Sequence, residues 1–278
     1  MSISVLILTL NEEINLPACL ASLTWSDDIV VLDSFSSDRT VEIARAAGAR
    51  VYQRRFDNER KQRGFGVHET PFRYPWLYMP DADEVITPEL RDEMLDAVRD
   101  PARREVAFRA RPKTIFMGQW LRHSSLYPTW QLRLCRPERI RFERDINLRT
   151  VVDGSEGLLD GHYLHYTFNN GLDAWYEKHN RYSTAEAQES LKSLNGGVIP
   201  WRDLLPWRNG VRRRSALKEV SFRLPFRPTL RFLYMYLVRG GFRDGWPGYV
   251  HCRLLAAYEY MIVVKMAELR RREQGLPI

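Results

Sequence analysis

The sequence has 278 residues and a mass of 32.8 kDa, which corresponds to one large domain or two smaller ones. Apolar residues make up 44% of the chain and charged residues 28%, and this balance excludes a wholly disordered protein. The net charge of +7 is unevenly distributed, because residues 1–100 carry 11 Lys/Arg and 18 Asp/Glu whereas the remaining residues carry 31 and 17. An acidic first part and a basic remainder suggest two tasks on one chain.

Cysteine usage and the start of the chain indicate the compartment. Cys19, Cys135 and Cys252 are far apart and odd in number, so they form neither a disulfide framework nor a CxxC metal site. The apolar start has no basic leader, and no apolar run approaches 18 residues. We therefore expect a reducing, cytoplasmic environment, no signal peptide and no conventional transmembrane helix.

Strand and helix signals alternate over the first 100 residues. Continuous apolar runs predict four strands, at 3–9, 29–33, 51–52 and 76–79. Helices are predicted between and after them, at 16–23, 36–47, 59–69 and 87–99. This alternation predicts a doubly wound α/β sheet that is mostly parallel, in which ligands bind at the carboxyl ends of the strands.

The rest of the chain is less regular. Residues 101–165 are expected to form mixed strands and loops, including a strand at 131–135. A long helix is predicted at 171–194, followed by a break at Gly196, Gly197 and Pro200, and a final helix at 249–272.

A basic stretch follows that break. Residues 201–243 contain 11 Lys/Arg and 2 Asp/Glu, interleaved with Trp, Phe, Tyr and Leu. Such a stretch can bind anionic membrane lipid, bind nucleic acid, form an oligomer interface or simply be solvated. We favour the membrane because the aromatic residues recur at helical spacing and no nucleic-acid motif is present.

The acidic triplet Asp81-Ala82-Asp83 follows a predicted buried strand. Two carboxylates one residue apart can share Mg²⁺ or Mn²⁺ together with substrate phosphates, although a solvated acidic turn has the same composition. The segment also fits the DxDx(T/V) motif of haloacid-dehalogenase-like phosphatases, in which Asp81 would be the nucleophile. That motif normally ends the first strand of its fold, whereas earlier strands precede it here.

Two further polar clusters lie at predicted strand ends. Asp33 could accept hydrogen bonds from a nucleobase or ribose, or it could cap the next helix. Thr9, Asn11 and Glu12 have the same two possibilities. The sequence contains neither GxGxxG nor a P-loop motif, so neither of those phosphate-binding devices is available.

In combination, the segments ILTLNE, IVVLDSFSSDRT and DADE resemble the family 2 glycosyltransferases, most closely the lipopolysaccharide-core β-glucosyltransferase-like branch. Further similar segments lie at 62–65, 127–134, 165–166, 178–183 and 240–245. The resemblance implies an inverting enzyme with a GT-A fold, a Rossmann-like and mostly parallel sheet with flanking helices, followed by a basic helical C-terminal region. The expected parts are a nucleotide-sugar-binding half (1–115), an acceptor-side half (116–196) and a membrane- or oligomer-associating region (197–278).

The same resemblance implies roles for individual residues. The nucleotide pocket would be lined by Thr9, Asn11, Glu12, Asp33, Arg63, Asp81 and Ala82. Within it, Asp33 would hold uracil and Arg63 would approach the base or diphosphate. Asp83, with Asp81, would bind Mg²⁺ or Mn²⁺ at the donor diphosphate.

At the expected positions of the general base this sequence differs from the branch, because both carboxylates are replaced, at Thr129 and Leu148. Glu143 and Asp145 are the nearest remaining candidates. The expected reaction moves a sugar from a UDP-sugar to a cell-envelope glycan or glycolipid of the lipopolysaccharide-core or exopolysaccharide type. The protein would act on the inner face of the cytoplasmic membrane. We expect no nucleic-acid partner, and homo-oligomers are possible. The alternative functions are a haloacid-dehalogenase-like phosphatase that uses Asp81 and a non-catalytic, membrane-bound scaffold with a glycosyltransferase-like fold.

Overall fold

A computed structural model describes residues 2–143, 148–196, 220 and 226–278. The chain forms two compact units, Met1–Asn170 and Gly171–Ile278. The three-part division expected from the sequence, at 115/116 and 196/197, stays a prediction.

The first unit alternates strands and helices and then becomes rich in strands. Its strands are β1 (Ser4–Thr9), β2 (Ile29–Asp33), β3 (Arg50–Gln53), β4 (Leu77–Tyr78), β5 (Glu84–Ile86), β6 (Ala107–Phe116), β7 (Gln119–Trp120), β8 (Gln131–Cys135), β9 (Ile140–Glu143), β10 (Arg149–Val152) and β11 (Glu156–His165). Its helices are α1 (Leu16–Ala21), α2 (Thr40–Ala46), α3 (Glu59–His68) and α4 (Pro88–Arg99), and Pro137–Arg139 form a 3₁₀ turn.

Nine of the described strands form one mixed sheet. Its order is β3-β2-β1-β4-β8-β6-β11-β5, with β7 paired to β6. Strands β1 to β4 are parallel to one another, whereas β8 runs antiparallel to both β4 and β6. β9 and β10 form a separate antiparallel pair. The chain thus builds outward from β1 to β3, and then returns to place β4 on the other side of β1.

Separate apolar clusters cover the two faces of this sheet. Ile7 packs on one face with Leu16 of α1 and Met94 of α4, and all three side chains are fully buried. Leu6 packs on the opposite face with Val67 of α3. Because neighbouring residues of a strand point to opposite faces, burial on both sides explains the continuous apolar run of β1.

The second unit is helical in its described residues. Its elements are α5 (Gly171–Gly196), α6 (Arg227–Leu233), a π-helical segment (Tyr234–Val238), a 3₁₀ turn (Gly241–Asp244) and α7 (Gly245–Glu273). α5 packs on α7 through Ala187 and Leu191 against Ile262 and Met266. Within the described part of the chain, no helix combines the length and the apolar character needed to span a bilayer.

Most predicted elements agree with the structure, and the α/β sheet with flanking helices, followed by a helical C-terminal region, is confirmed. The strand Gln131–Cys135 has the predicted bounds. The last helix starts at Gly245, four residues earlier than expected, because Pro247 fits a first helical turn, where no backbone N–H donor is required. The ten-residue strands β6 and β11 lie where the sequence indicated only mixed strands and loops.

Candidate active site

Three polar strand ends meet at one edge of the sheet, as the sequence predicts. Thr9, the last residue of β1, lies beside Asp33, the last residue of β2, in the parallel register. On the other side of β1, Asp81 forms a bridge with Leu8 just beyond β4. The strand order reverses between β1 and β4, and open α/β sheets bind ligands at such a switch point.

Asp33 is fully buried and has four hydrogen-bond donors around its carboxylate. Its oxygens accept from the hydroxyl of Thr9 (3.0 Å), from the amide and hydroxyl of Ser36, and from Nε2 of Gln53 (3.1 Å). A carboxylate in this setting fixes the loop that follows β2. The structure thus gives Asp33 an internal supporting role, and its contact with a nucleobase stays a prediction.

The loop after β1 is tied to the loop after β2. The backbone N–H of Asn11 donates to Oγ of Ser36 (2.8 Å), and the side-chain Oδ1 of Asn11 accepts from the backbone N–H of Ser37 (2.8 Å). Asn11 has a φ of 57°, a left-handed conformation that asparagine tolerates better than most residues. The backbone of Glu12 donates to Oγ1 of Thr40 (2.8 Å). These bonds give the predicted nucleotide pocket a fixed wall.

Asp81 lies between two arginines. Nη2 of Arg63 is 3.0 Å from Oδ1, and Nη2 of Arg133 is 2.8 Å from Oδ2. Burial raises the pKa of the Asp81 carboxyl, but Arg133 and Arg63 outweigh it and hold the pKa well below its usual range. Arg63 therefore lies where the sequence predicts, and Asp81 stays ionised with each oxygen paired to a guanidinium.

Arg133 also neutralises a buried carboxylate that had no assigned role. Its side chain is 6% exposed, and Nη2 pairs with Glu84, whose side chain is fully buried. Burial raises the pKa of Glu84 to about 7 even though Arg133 opposes the shift. The same Nη2 donates to Oε1 of Gln131 (2.9 Å), which also accepts from the hydroxyl of Tyr163 (2.9 Å). Arg133 thereby links β8 to the acidic turn after β4.

Asp83 faces a histidine from the far end of the sheet. Nε2 of His165 is 3.4 Å from Oδ2 of Asp83, and both side chains are about one-fifth exposed. The backbone amide of Tyr166 donates to the carbonyl of Asp83 (2.9 Å). In the antiparallel register of β5 and β11, His165 lies opposite Glu84. Burial lowers the pKa of His165, but the hydrogen bond to Asp83 and the charge of Glu84 raise it above its ordinary value.

These groups are chemically suited to a divalent cation. Ligand atoms of Asp83, Glu84 and His165 lie within 4.8 Å of one another. Glu84 is engaged by Arg133, whereas Asp83 and His165 are partly open to solvent, so these two would hold the ion. Carboxylate oxygen and imidazole nitrogen are both common metal ligands, and the remaining positions would be free for phosphate and water. Both oxygens of Asp81 are already paired with arginines, Arg63 and Arg133. Its expected role as the second metal ligand stays a prediction.

The sequence could have indicated some of the partners. Glu84 follows the acidic triplet directly, and His165-Tyr166 is among the segments that carry the family resemblance. Arg133 lies in segment 127–134, which also carries the family resemblance, but that segment gives no sign of the carboxylates that Arg133 contacts. The role of Arg133 depends on the pairing of β8 with β4, a distant strand in the sequence, in which Tyr78 lies opposite Leu134.

The candidate bases are not brought to this cluster by any contact among the described residues. Glu143 ends β9, is 41% exposed and pairs with Arg141 of the same strand (3.3 Å). Asp145 lies outside the described residues. The hydroxyl of Thr129, one of the two replaced positions, donates to the carbonyl of Leu126. The general base stays a prediction.

Residues 4–157 match the sequence profile of Glycosyl transferase family 2. The match covers more than half of the chain and includes Thr9, Asp33, Asp81 and Asp83, whereas His165 lies beyond it. The chain belongs to this family. The glycosyltransferase expected from the three strand ends is therefore confirmed. The phosphatase interpretation of Asp81 was wrong, since the motif belongs to a glycosyltransferase in which both oxygens of that carboxylate pair with arginines.

Full-length relatives carry glycosyltransferase names. The lipopolysaccharide core biosynthesis glycosyltransferase LpsC of Rhizobium meliloti is 26% identical over 95% of this chain and 91% of its own length. An uncharacterised glycosyltransferase of Rickettsia typhi is 24% identical over 99% of this chain and 89% of its own. Among solved structures, glucosyl-3-phosphoglycerate synthase from Mycobacterium tuberculosis aligns with 21% identity and a TM-score of 0.34, over 41% of this chain and 44% of that chain.

Proposed function

We propose that this glycosyltransferase is an inverting enzyme that moves a sugar from a UDP-sugar to a cell-envelope glycan or glycolipid, of the lipopolysaccharide-core or exopolysaccharide type. The meeting of Thr9, Asp33 and Asp81 at the switch point of the sheet carries the donor part of the proposal. The acceptor class rests on the similarity to LpsC over nearly the whole chain.

The donor nucleotide is proposed to lie over the two linked loops after β1 and β2. Leu10 and Phe35 follow these strands and are 47% and 53% exposed, so both offer apolar surface to a base. The guanidinium of Arg55 lies 5.9 Å from the Phe35 ring, which adds positive charge near that position. In this arrangement Asp33 and Asn11 hold the loops in place, and Thr9, Glu12 and Ala82 line the pocket.

The diphosphate is proposed to lie at Asp83, His165 and Arg63. A divalent cation bound there, Mn²⁺ or Mg²⁺, would offset the negative charge that develops on the departing nucleoside diphosphate. Arg63 is fixed by Asp81 and by Glu59 (3.1 Å), so its charge is already oriented before substrate arrives. The buried pair of Arg133 and Glu84 holds the acidic turn against β8.

A base must take the proton of the acceptor hydroxyl as the new bond forms. Glu143 and Asp145 remain the proposed candidates. Glu143→Gln and Asp145→Asn, each compared with Glu138→Gln on the neighbouring 3₁₀ turn, separate them. The base variant should lose at least about 100-fold in kcat for transfer while its KM for donor stays the same.

The donor proposal is tested by the release of nucleoside diphosphate from a panel of nucleotide sugars with Mn²⁺ or Mg²⁺. We expect turnover with a UDP-sugar and at least about 100-fold less in Asp83→Asn, because the variant removes a charge that orients the leaving group. Asp96→Asn on the exposed face of α4 is the matched control and should keep wild-type turnover. Absence of turnover with every nucleotide sugar would overturn the proposal, and so would a fully active Asp83→Asn.

Peripheral association with the inner face of the cytoplasmic membrane forms part of this proposal, because a glycolipid acceptor is held in a membrane. Of the basic stretch at 201–243 that suggested it, residues 201–219 and 221–225 lie outside the described residues.

A further inference from the structure

The second unit exposes a strip of apolar side chains on α6 and the π-helical segment. Positions 230, 233, 234, 237 and 238 recur at the three- and four-residue spacing of one helix face. The apolar strip consists of Leu230 (43% exposed), Leu233 (40%), Tyr234 (47%), Leu237 (56%) and Val238 (75%). Apolar residues clustered in this way indicate an interaction surface rather than ordinary scattered exposure.

The opposite face of the same segment already packs against α7. Phe232 stacks on Tyr236, with 5.2 Å between ring centroids, and both rings contact Tyr249 of α7 edge-on. Met235 is fully buried between them in the sequence. Because this inner face supplies the packing of the unit, the apolar strip is not needed to hold α6 on α7.

Two more exposed aromatic residues lie beyond the π-helical segment, next to the aromatic residues of the inner face. Phe242 is 49% exposed and lies 6.3 Å from Tyr236, and Trp246 is 66% exposed and stacks on Tyr249 at 5.5 Å. Arg243 is exposed beside them, with its guanidinium 5.7 Å from the Phe242 ring. Large aromatic side chains next to arginine are typical of the boundary between lipid headgroups and acyl chains.

The segment that carries the apolar strip has a net positive charge. Residues 226–253 contain five arginines, and their one acidic residue, Asp244, is only 3% exposed. One of the five, Arg227, is paired with Glu259 of α7 (2.7 Å). The net positive charge points to an anionic partner.

We propose that the apolar strip inserts into the headgroup region of an anionic bilayer, with Arg243, which lies beside Gly240 just after the strip, at the lipid phosphates. Insertion buries the apolar side chains, and each basic residue near the surface adds electrostatic attraction. A second copy of the chain is a poorer occupant, because a twofold contact through this face would bring together two surfaces of the same positive charge. The inference rests on the proposed membrane association and names the surface responsible for it, but it does not depend on the identity of the sugar donor.

Sedimentation with vesicles tests the proposal on the full-length protein. We expect binding to phosphatidylcholine vesicles containing 30% phosphatidylglycerol at low salt, and weak binding to phosphatidylcholine alone. The double variant Leu237→Ser, Val238→Ser should bind the anionic vesicles at least about tenfold more weakly. Its control is Tyr260→Ser, Val264→Ser, an equally exposed apolar pair on α7 outside the strip, which should bind like wild type.

The charge is tested separately. Arg243→Glu should weaken binding on the order of tenfold, whereas Arg270→Glu near the end of α7 should have a much smaller effect. Equal losses in the strip and control variants would overturn the proposal, as would wild-type protein that ignores anionic vesicles. Light scattering after size exclusion measures the oligomeric state and so tests whether a second copy covers this face. If the wild-type protein is a dimer that does not bind vesicles, and the strip variant is a monomer, the face belongs to a second copy and membrane insertion is contradicted.

Discussion

Methionine has a side chain similar in length to that of arginine but carries no charge. Replacing Arg133 with methionine therefore removes a buried cation from the candidate site. In the wild-type protein its guanidinium pairs with Glu84 and with Asp81 (2.8 Å). After the substitution Asp81 keeps its contact with Arg63, whereas the described ion pairs leave Glu84 without a cation. The variant therefore creates one unpaired buried carboxylate rather than two.

The expected cost follows from that count. Removing one partner of a buried ion pair destabilises a protein by about 3–5 kcal/mol. Because Arg63 still compensates Asp81, we expect a value near the lower limit, about 3 kcal/mol. For a protein of this size that corresponds to a decrease in Tm of roughly 6–12 °C.

Thermal unfolding of four proteins measures the effect: wild type, Arg133→Met, Glu84→Gln and the double variant. The double variant should regain much of the loss, because it replaces the buried charge with a neutral amide of the same shape. Arg91→Met is the control, since Arg91 pairs on the surface of α4 with its neighbour Asp92 and should cost about 0–1 kcal/mol. The reasoning is refuted if Arg133→Met unfolds within 2 °C of wild type, or if adding Glu84→Gln gives no recovery.

Three further predictions concern other parts of the first unit. Asp28→Asn should destabilise the protein by about 1–3 kcal/mol at pH 7, because the fully buried carboxylate accepts from Ser4, Arg50 and the Arg73 amide. Although burial raises the pKa of Asp28, these donors lower it below its ordinary value. The stabilisation is therefore present above about pH 3.9 and is lost as the pH falls through the folded-state pKa. Denaturation at pH 7 and at pH 3 should show that the difference in stability between wild type and variant becomes smaller at the lower pH. Gly161→Ala should cost about 1–3 kcal/mol, because its Cβ would lie 2.7 Å from the Cα of Leu90, whereas Gly64→Ala, with open space around it, should not destabilise; urea denaturation of both compares them. His165→Asn should raise the Mn²⁺ concentration for half-maximal turnover by about 10–100-fold relative to His68→Asn, an exposed histidine at the end of α3, and equal metal requirements would remove His165 from the proposed metal site.

Local sequence predicted the elements that depend on local physics. β1 and β2 are buried on both faces, so their apolar runs are continuous and unmistakable, and α4 has Pro88 in its first turn and a threonine N-cap. The polar residues that end these strands were found in the same way. β6 and β11 were not resolved from sequence, because partly exposed polar residues such as Arg109 and Asp160 interrupt their apolar pattern.

The sequence by itself determined the polar edge of the sheet, because Thr9, Asp33 and Asp81 lie at strand ends and parallel strands end at the same edge of a sheet. It also determined the family, through motifs whose residues are close together in the chain. Only the tertiary structure decided what surrounds the acidic turn. Arg133 reaches Asp81 from 52 residues away, and His165 reaches Asp83 through the antiparallel pairing of β11 with β5. Such contacts depend on strand order and register, which arise from packing across the whole sheet and leave no periodic signal near the residues themselves.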